Sequence, residues 1–225
     1  LEASGSPNGH GFDAVNAAKK VTYYSRDLGG VRLIAMDTVN PFGGWQGSLD
    51  QEQFAWLEAT IAASDRLVVL ASHHPLETIF NGYTTGESRV CKDELEAMLV
   101  RYPQVILWVA GHEHRHHVEW VGNRAENIGF WHVETSSHID WPQQSKTIEV
   151  VRDSAGDIFI GLTTIDHVGD MEYSGGKSPV ELAGLSRLLS ANVWQRRPEL
   201  VGKDGFISHE GKPEERNAVL RINKR

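Results

Sequence analysis

The run VILWVAGHEH, residues 105–114, decides how this chain is read. Val105 to Ala110 are apolar without a break, Gly111 interrupts them, and His112 and His114 follow at once. A short continuous apolar run closed by glycine is the pattern of a strand covered on both faces. An earlier stretch, LVVLASHHP at residues 67–75, repeats the arrangement: an apolar run, then His73, His74 and Pro75. Between the two, KDELEAMLVRY (92–102) carries Leu95, Met98 and Leu99 at helical spacing and ends before Pro103.

Working outward, GSLDQEQFAWLE (47–58) opens a helix reaching about Ala63. Ser48 is expected at its N-cap with Gln51 at the third helical position, and Phe54, Leu57 and Ile61 share one face. Before it, VTYYS (21–25) and VRLIAM (31–36) are β-type runs joined by the turn residues RDLGG, which predicts a hairpin. The alternation of strands and helices predicts an α/β domain with helices over its sheet. Downstream, GFWHVETSS, SKTIEVVRD and IFIGLTTID read as successive strands, the last two joined by a tight turn at DSAGD. Ser178, Pro179 and Glu181 mark a helix start, with Leu182, Leu185 and Leu189 expected on the inner face. The first fifteen residues read as a loop and the tail as irregular. There is no internal repeat and no convincing linker, so a single domain is expected.

Composition narrows the function classes. The 225 residues are 40% hydrophobic and 23% charged, as in ordinary globular proteins. A formal net charge of -8 argues against general nucleic-acid binding, which needs clustered cations for phosphate neutralisation. An anionic substrate would need local positive charge, such as a metal. One cysteine, Cys91, excludes an intrachain disulfide. No apolar run approaches the roughly 20 residues of a membrane helix. The segment from Leu1 lacks a signal-peptide pattern, so any export signal would lie upstream, and the compartment stays open.

Functional groups of open α/β sheets gather at the carboxyl ends of strands. If the two apolar strands are parallel neighbours, the histidines after each meet there, and neutral imidazoles suit zinc, iron or manganese. Gly111 is expected to make the turn. His112 and His114 are then expected two apart on an extended loop, facing one cavity, with Glu113 facing away. Two other readings of HEHRHH stand beside this one: a solvated polar loop, or a pH-responsive binding surface.

The residues ASHHPL and GHEH resemble the two C-terminal motifs of the calcineurin-like metallophosphoesterases, the superfamily that includes purple acid phosphatases. GSLDQEQFAWLE and VRLIAMDT resemble the helix and strand that precede the histidine strand in that family. More loosely, TSSHIDWPQQ, LAGLSRLLSAN and GKPEERNAVLRI resemble the C-terminal extension of a bacterial branch. The resemblance implies an α/β, αββα fold, a β-sandwich flanked by helices. It implies a phosphoesterase domain over residues 1–170 and a helical and irregular extension over 171–225 packed on it. It implies His73 and His112 as ligands of one metal and His114 as a ligand of a second, the pair being divalent or trivalent Fe, Mn or Zn. Those ions would activate hydroxide for hydrolysis of a phosphomonoester or phosphodiester.

The family's Asp-x-His, Gly-Asp and Gly-Asn-His motifs have no counterpart here. The chain therefore reads as the C-terminal half of such an enzyme, inactive or impaired alone, with its catalytic residues unassigned. A different class competes: a non-catalytic metal-binding or interaction module that keeps the histidines without acidic ligands. His74 is expected to line the pocket, and His116 and His117 to belong to the loop. Asp37 is expected to cap a turn in preference to orienting a histidine, and Glu134 and Asp140 to be hairpin-face charges near the rim. Cys91 and most of the seven tryptophans are expected in packing roles. His10, His132, His138, His167 and His209 have no motif context.

Overall fold

In a computed structural model the chain is described over residues 14–83, 86–172, 175–193 and 209–223. The elements in order are α1 (Ala14–Lys19), β1 (Tyr24–Leu28), β2 (Val31–Ala35), β3 (Leu49–Asp50), α2 (Gln51–Ala62), β4 (Leu67–Ala71), β5 (Arg89–Val90), α3 (Lys92–Leu99) and β6 (Val105–Ala110). They continue with β7 (His117–Asn123), β8 (Ile128–Glu134), β9 (Gln144–Arg152), β10 (Ile158–Asp166), α4 (Pro179–Ser190), α5 (Pro213–Arg216) and β11 (Ala218–Ile222). By its internal contacts the chain divides into two compact units, residues 1–110 with 120–132, and residues 111–119 with 133–225.

The first unit is mixed α/β, with helices against a central sheet of order β1-β2-β4-β6-β8-β7. The expected hairpin forms with its first strand shifted, since residues 26–28, expected in the turn, pair antiparallel with β2 up to Leu28 opposite Val31, and Gly29 takes the positive φ of 59° that the shorter turn requires. β2, β4 and β6 are then mutually parallel, Ala35 beside Ala71 and Ala71 beside Val109. One core joins the strands to the helices through Ile34, Leu57, Ile61, Leu70, Leu95 and Trp108. The inner faces of α2 and α3 follow the expected spacing: Leu57 and Ile61 on one, Leu95, Met98 and Leu99 on the other. β6 is buried nearly throughout, whereas β4 alternates, with Val68 and Leu70 buried and Leu67, Val69 and Ala71 half-buried.

Two local expectations change here. Asp50, not Ser48, caps α2 and accepts from the Gln53 amide. Ser48 is engaged elsewhere, its hydroxyl accepting from Arg89 Nε and Nη2 at 3.0 and 2.8 Å, and Leu49–Asp50 pairs with β5 first. Cys91 is exposed at the N-cap of α3, so it does not pack inside.

The second unit holds an antiparallel sheet of order β11-β10-β9. Asp153 organises its predicted turn: Oδ1 accepts from Ala155 and Asp157 amides, both at 2.9 Å. α4 begins as expected, with a reciprocal capping box between Ser178 and Glu181. Its inner face differs, because Leu182 and Leu189 are exposed and the buried positions are Gly184 and Ser190. A Cβ on Gly184 would stand 2.0 Å from the Asp170 carbonyl oxygen, so backbone approach at a glycine selects the packed face in place of leucine burial.

The tryptophans also depart from expectation. Trp108 and Trp141 are buried, Trp56 only partly covered, and Trp45 is exposed. Trp120 and Trp131 meet edge to face with Arg124 over both rings. Trp194, His10 and residues 1–13 of the expected N-terminal loop lie outside the described residues. Ala14 and Val15 from that stretch belong to α1. Among the described residues no helix is long and apolar enough to cross a membrane.

Candidate metal centre

Parallel pairing sends the chain out of β4 and β6 at the same end of the sheet. Two bonds tie these strand ends: Ser72 N–H donates to the Val109 carbonyl at 3.1 Å, and Trp108 Nε1–H donates to Ser72 Oγ at 2.8 Å. His73 follows β4 by two residues and His112 follows β6 by two. His73 and His74 lie side by side after β4, their ring centroids 4.7 Å apart, and both carry ligand-type nitrogens, as does His112 after β6.

The three are not chemically equal. His74 is buried, and its Nδ1 meets Thr38 Oγ1 at 2.9 Å while Nε2 meets the carbonyl of Trp45 at 3.1 Å. A carbonyl only accepts, so Nε2 carries the proton and Nδ1 accepts from the Thr38 hydroxyl. The same hydroxyl oxygen receives the His74 amide at 3.3 Å. A neutral ring bonded at both nitrogens is a strut between the loop after β2 and the loop after β4, and not a metal donor. Asp37 is a turn cap, as its position implied: Oδ1 accepts from the Val39 amide and Oδ2 from the Thr22 hydroxyl.

The turn after β6 is not the extended loop that alternation implied. His112 and His114 both take positive φ, 69° and 56°, and the Glu113 amide donates back to the Gly111 carbonyl at 2.8 Å. That bond closes a γ-turn around His112, a rare and strained conformation away from glycine. The histidines, not Gly111, make the turn. Backbone strain on the order of 1–3 kcal/mol per residue persists where the surroundings over-determine it, commonly at functional sites. Glu113 does not face away either, since its Oε1 stands 4.0 Å from His112 Nε2.

His114 has its own partner, Asp140, whose Oδ2 is 2.7 Å from Nδ1. An ionised carboxylate only accepts, so the proton is on Nδ1 and the lone pair of the neutral ring is on Nε2. Asp140 Oδ1 is buried without a hydrogen-bond partner among the described residues. With Nδ1–H held by the carboxylate, Nε2 is the atom of His114 that suits a cation.

The expected hairpin-face charges are therefore something else. Asp140 orients His114, and Glu134 is fully buried in a two-pronged pair with Arg115, Oε1 to Nη2 at 3.0 Å and Oε2 to Nε at 3.2 Å. Burial pulls the Arg115 guanidinium down, and the Glu134 bond more than offsets it, so its pKa is raised. His116 and His117 are also more than loop residues. His116 is buried, bonds Gln144 through Nε2, and burial with nearby Lys146 pushes its pKa down to about 4. His117 starts β7 between Glu119 and Glu215, and these carboxylates raise its pKa against burial. His209 takes the His116 amide on its carbonyl, and burial lowers its pKa.

No protein-family model matches the chain, and no curated protein matches it. Among solved structures, the crystal structure of a dimetal phosphatase from Danio rerio aligns at 13% identity and TM-score 0.46. That alignment covers 66% of this chain and 59% of the phosphatase chain, so this chain matches less than two thirds of the neighbour's length.

Proposed function

We propose that this chain is the C-terminal part of a metal-dependent phosphoesterase acting on a phosphomonoester or phosphodiester. In this reading His73 and His112 hold one cation and His114 takes part in holding a second. The observation that carries it is the parallel pairing of β4 with β6, strands that His73 and His112 each follow by two residues, while His74 beside His73 is bonded at both nitrogens. The sequence resemblance through ASHHPL and GHEH supports the same reading.

When bound, a pair of such cations supplies Lewis acidity toward phosphoryl oxygens and lowers the pKa of water. The chain's own residues prepare that chemistry. His74 joins the Thr38 and Trp45 loop to the loop bearing His73. The γ-turn sets the direction of His112, and Asp140 fixes the tautomer of His114 so that Nε2 is left as the acceptor. The domain division at residues 1–170 and 171–225 belongs to this proposal.

A second reading is a non-catalytic metal-binding module. It is favoured by the absence of Asp-x-His and Gly-Asn-His motifs from the sequence. The test measures Zn, Mn and Fe binding by calorimetry, and hydrolysis of p-nitrophenyl phosphate and its bis ester, in this chain and in a form extended upstream. The phosphoesterase reading expects metal binding that His73→Ala and His112→Ala each weaken at least tenfold, with hydrolysis in the extended form. Metal binding with no hydrolysis in either form supports the second reading, and no metal binding defeats both.

A further inference from the structure

Among the described residues, three aromatic side chains are highly exposed: Trp45 at 61%, Phe80 at 56% and Tyr83 at 63%. All three belong to the two loops that His74 joins, one after β2 and one after β4. Exposed aromatic area has a solvation cost, and its concentration at one place marks a binding surface.

These side chains stand on a firm frame. Asn81 Nδ2 donates to the carbonyls of Gly43 and Gln46 at 2.6 and 3.0 Å, and Asn40 Nδ2 donates to the Tyr83 carbonyl at 2.7 Å. Backbone bonds from Gly47 to Thr78 and from Asn81 to Gly47 zip the loops together. A Cβ on Gly47 would lie 2.7 Å from the His74 side chain, so the frame is packed against the histidine itself. Little ordering is left to do when a ligand arrives.

The geometry selects the ligand. Trp45 and Phe80 meet at 89° with centroids 6.1 Å apart, forming a right-angled corner. A planar aromatic ring suits that corner, stacking on one wall while its electropositive edge meets the face of the other. Beside Phe80 runs a groove of about 590 Å³, within the roughly 300–1,000 Å³ of ordinary ligand pockets. Its charged lining is balanced, Arg89 and Lys92 against Glu77 and Asp93, with Lys92 bonded to Glu77 at 2.7 and 2.8 Å. A lining without net charge gives a quaternary ammonium, the other occupant of aromatic corners, no added electrostatic hold.

We propose that Trp45 and Phe80, extended by Tyr83, form a subsite for a neutral aromatic ring in the alcohol portion of an organic phosphate ester. Assignment of the phosphate end rests on the phosphoesterase reading; the ring subsite stands on its own geometry. The substrate class is therefore an aryl or nucleoside-type ester, not a phosphate on a short aliphatic alcohol.

The test uses the full chain without added metal or phosphate, so its failure would leave the hydrolase reading standing. Saturation-transfer NMR titrates phenol and adenosine, with cyclohexanol and choline as controls, against wild type, Trp45→Ala, Phe80→Ala and Trp45→Phe. Circular dichroism confirms that each variant folds. Both aromatic probes are expected to bind wild type at least tenfold more tightly than either control. The two alanine variants are expected to lose at least tenfold, and Trp45→Phe to retain most of the binding. Equal binding of cyclohexanol or choline, or aromatic binding unchanged in both alanine variants, would overturn the proposal.

Discussion

Asp140 Oδ2 lies 2.7 Å from His114 Nδ1, across 26 residues of sequence. A carboxylate in that place holds an imidazole in one tautomer and orientation, and loss of such a partner typically costs about 10–100-fold in metal affinity. Asp140→Asn is expected to lower affinity for the cation that His114 helps to hold by about that factor. Calorimetric titration with Zn or Mn reads it, and an affinity within twofold of wild type would show that Asp140 does not serve the site.

His74 behaves as a structural strut, which separates it experimentally from His73. His74→Ala removes both polar bonds and a buried ring, and is expected to destabilise the chain by about 3 kcal/mol. His73→Ala, at an exposed position, is expected to stay within about 0.5 kcal/mol. Urea unfolding of the apo chain distinguishes them. Similar midpoints would remove the strut role.

Gly47→Ala tests the same junction from the other side. The added methyl would approach the His74 side chain to 2.7 Å and Ile79 Cδ1 to 2.8 Å. Overpacking of this kind costs about 1–3 kcal/mol. Thermal melting of the variant should show the loss, and an unchanged Tm would mean that the loops yield.

The buried pair of Arg115 and Glu134 offers a stability test within the second unit. Glu134→Ala leaves a desolvated guanidinium without its counter-charge, a change that typically costs about 3–5 kcal/mol. Urea denaturation at neutral pH measures it. A loss below about 1 kcal/mol would show that water reaches Arg115 in the variant.

His116 makes stability depend on acid. Its pKa falls from 6.5 unfolded to about 4 folded, so below 6.5 the unfolded chain takes up a proton that the folded chain refuses. Stability from this group is complete above pH 6.5 and declines as pH falls toward 4, by up to about 3 kcal/mol. His116→Gln should flatten that part of the pH–stability curve. A curve that keeps its wild-type slope between these values would refute the assignment.

Local pattern determined much of this protein. The apolar runs at 67–71 and 105–110, the helices α2 and α3 and the hairpins are written in spacings of two to four residues, which backbone geometry converts directly into strands and helices. The two histidine clusters at strand ends were equally legible, because strand length and chain direction place them. Tertiary structure decided what each polar side chain does. His74 became a strut through Thr38 and Trp45, 36 and 29 residues away, and Asp140 and Glu134 left the hairpin face for partners 26 and 19 residues upstream. No periodicity records such pairings, since a hydrogen bond across a fold depends on which loops meet. The γ-turn at His112 and the glycine contact of α4 share that cause: close approach between segments overrode the conformation each would take alone.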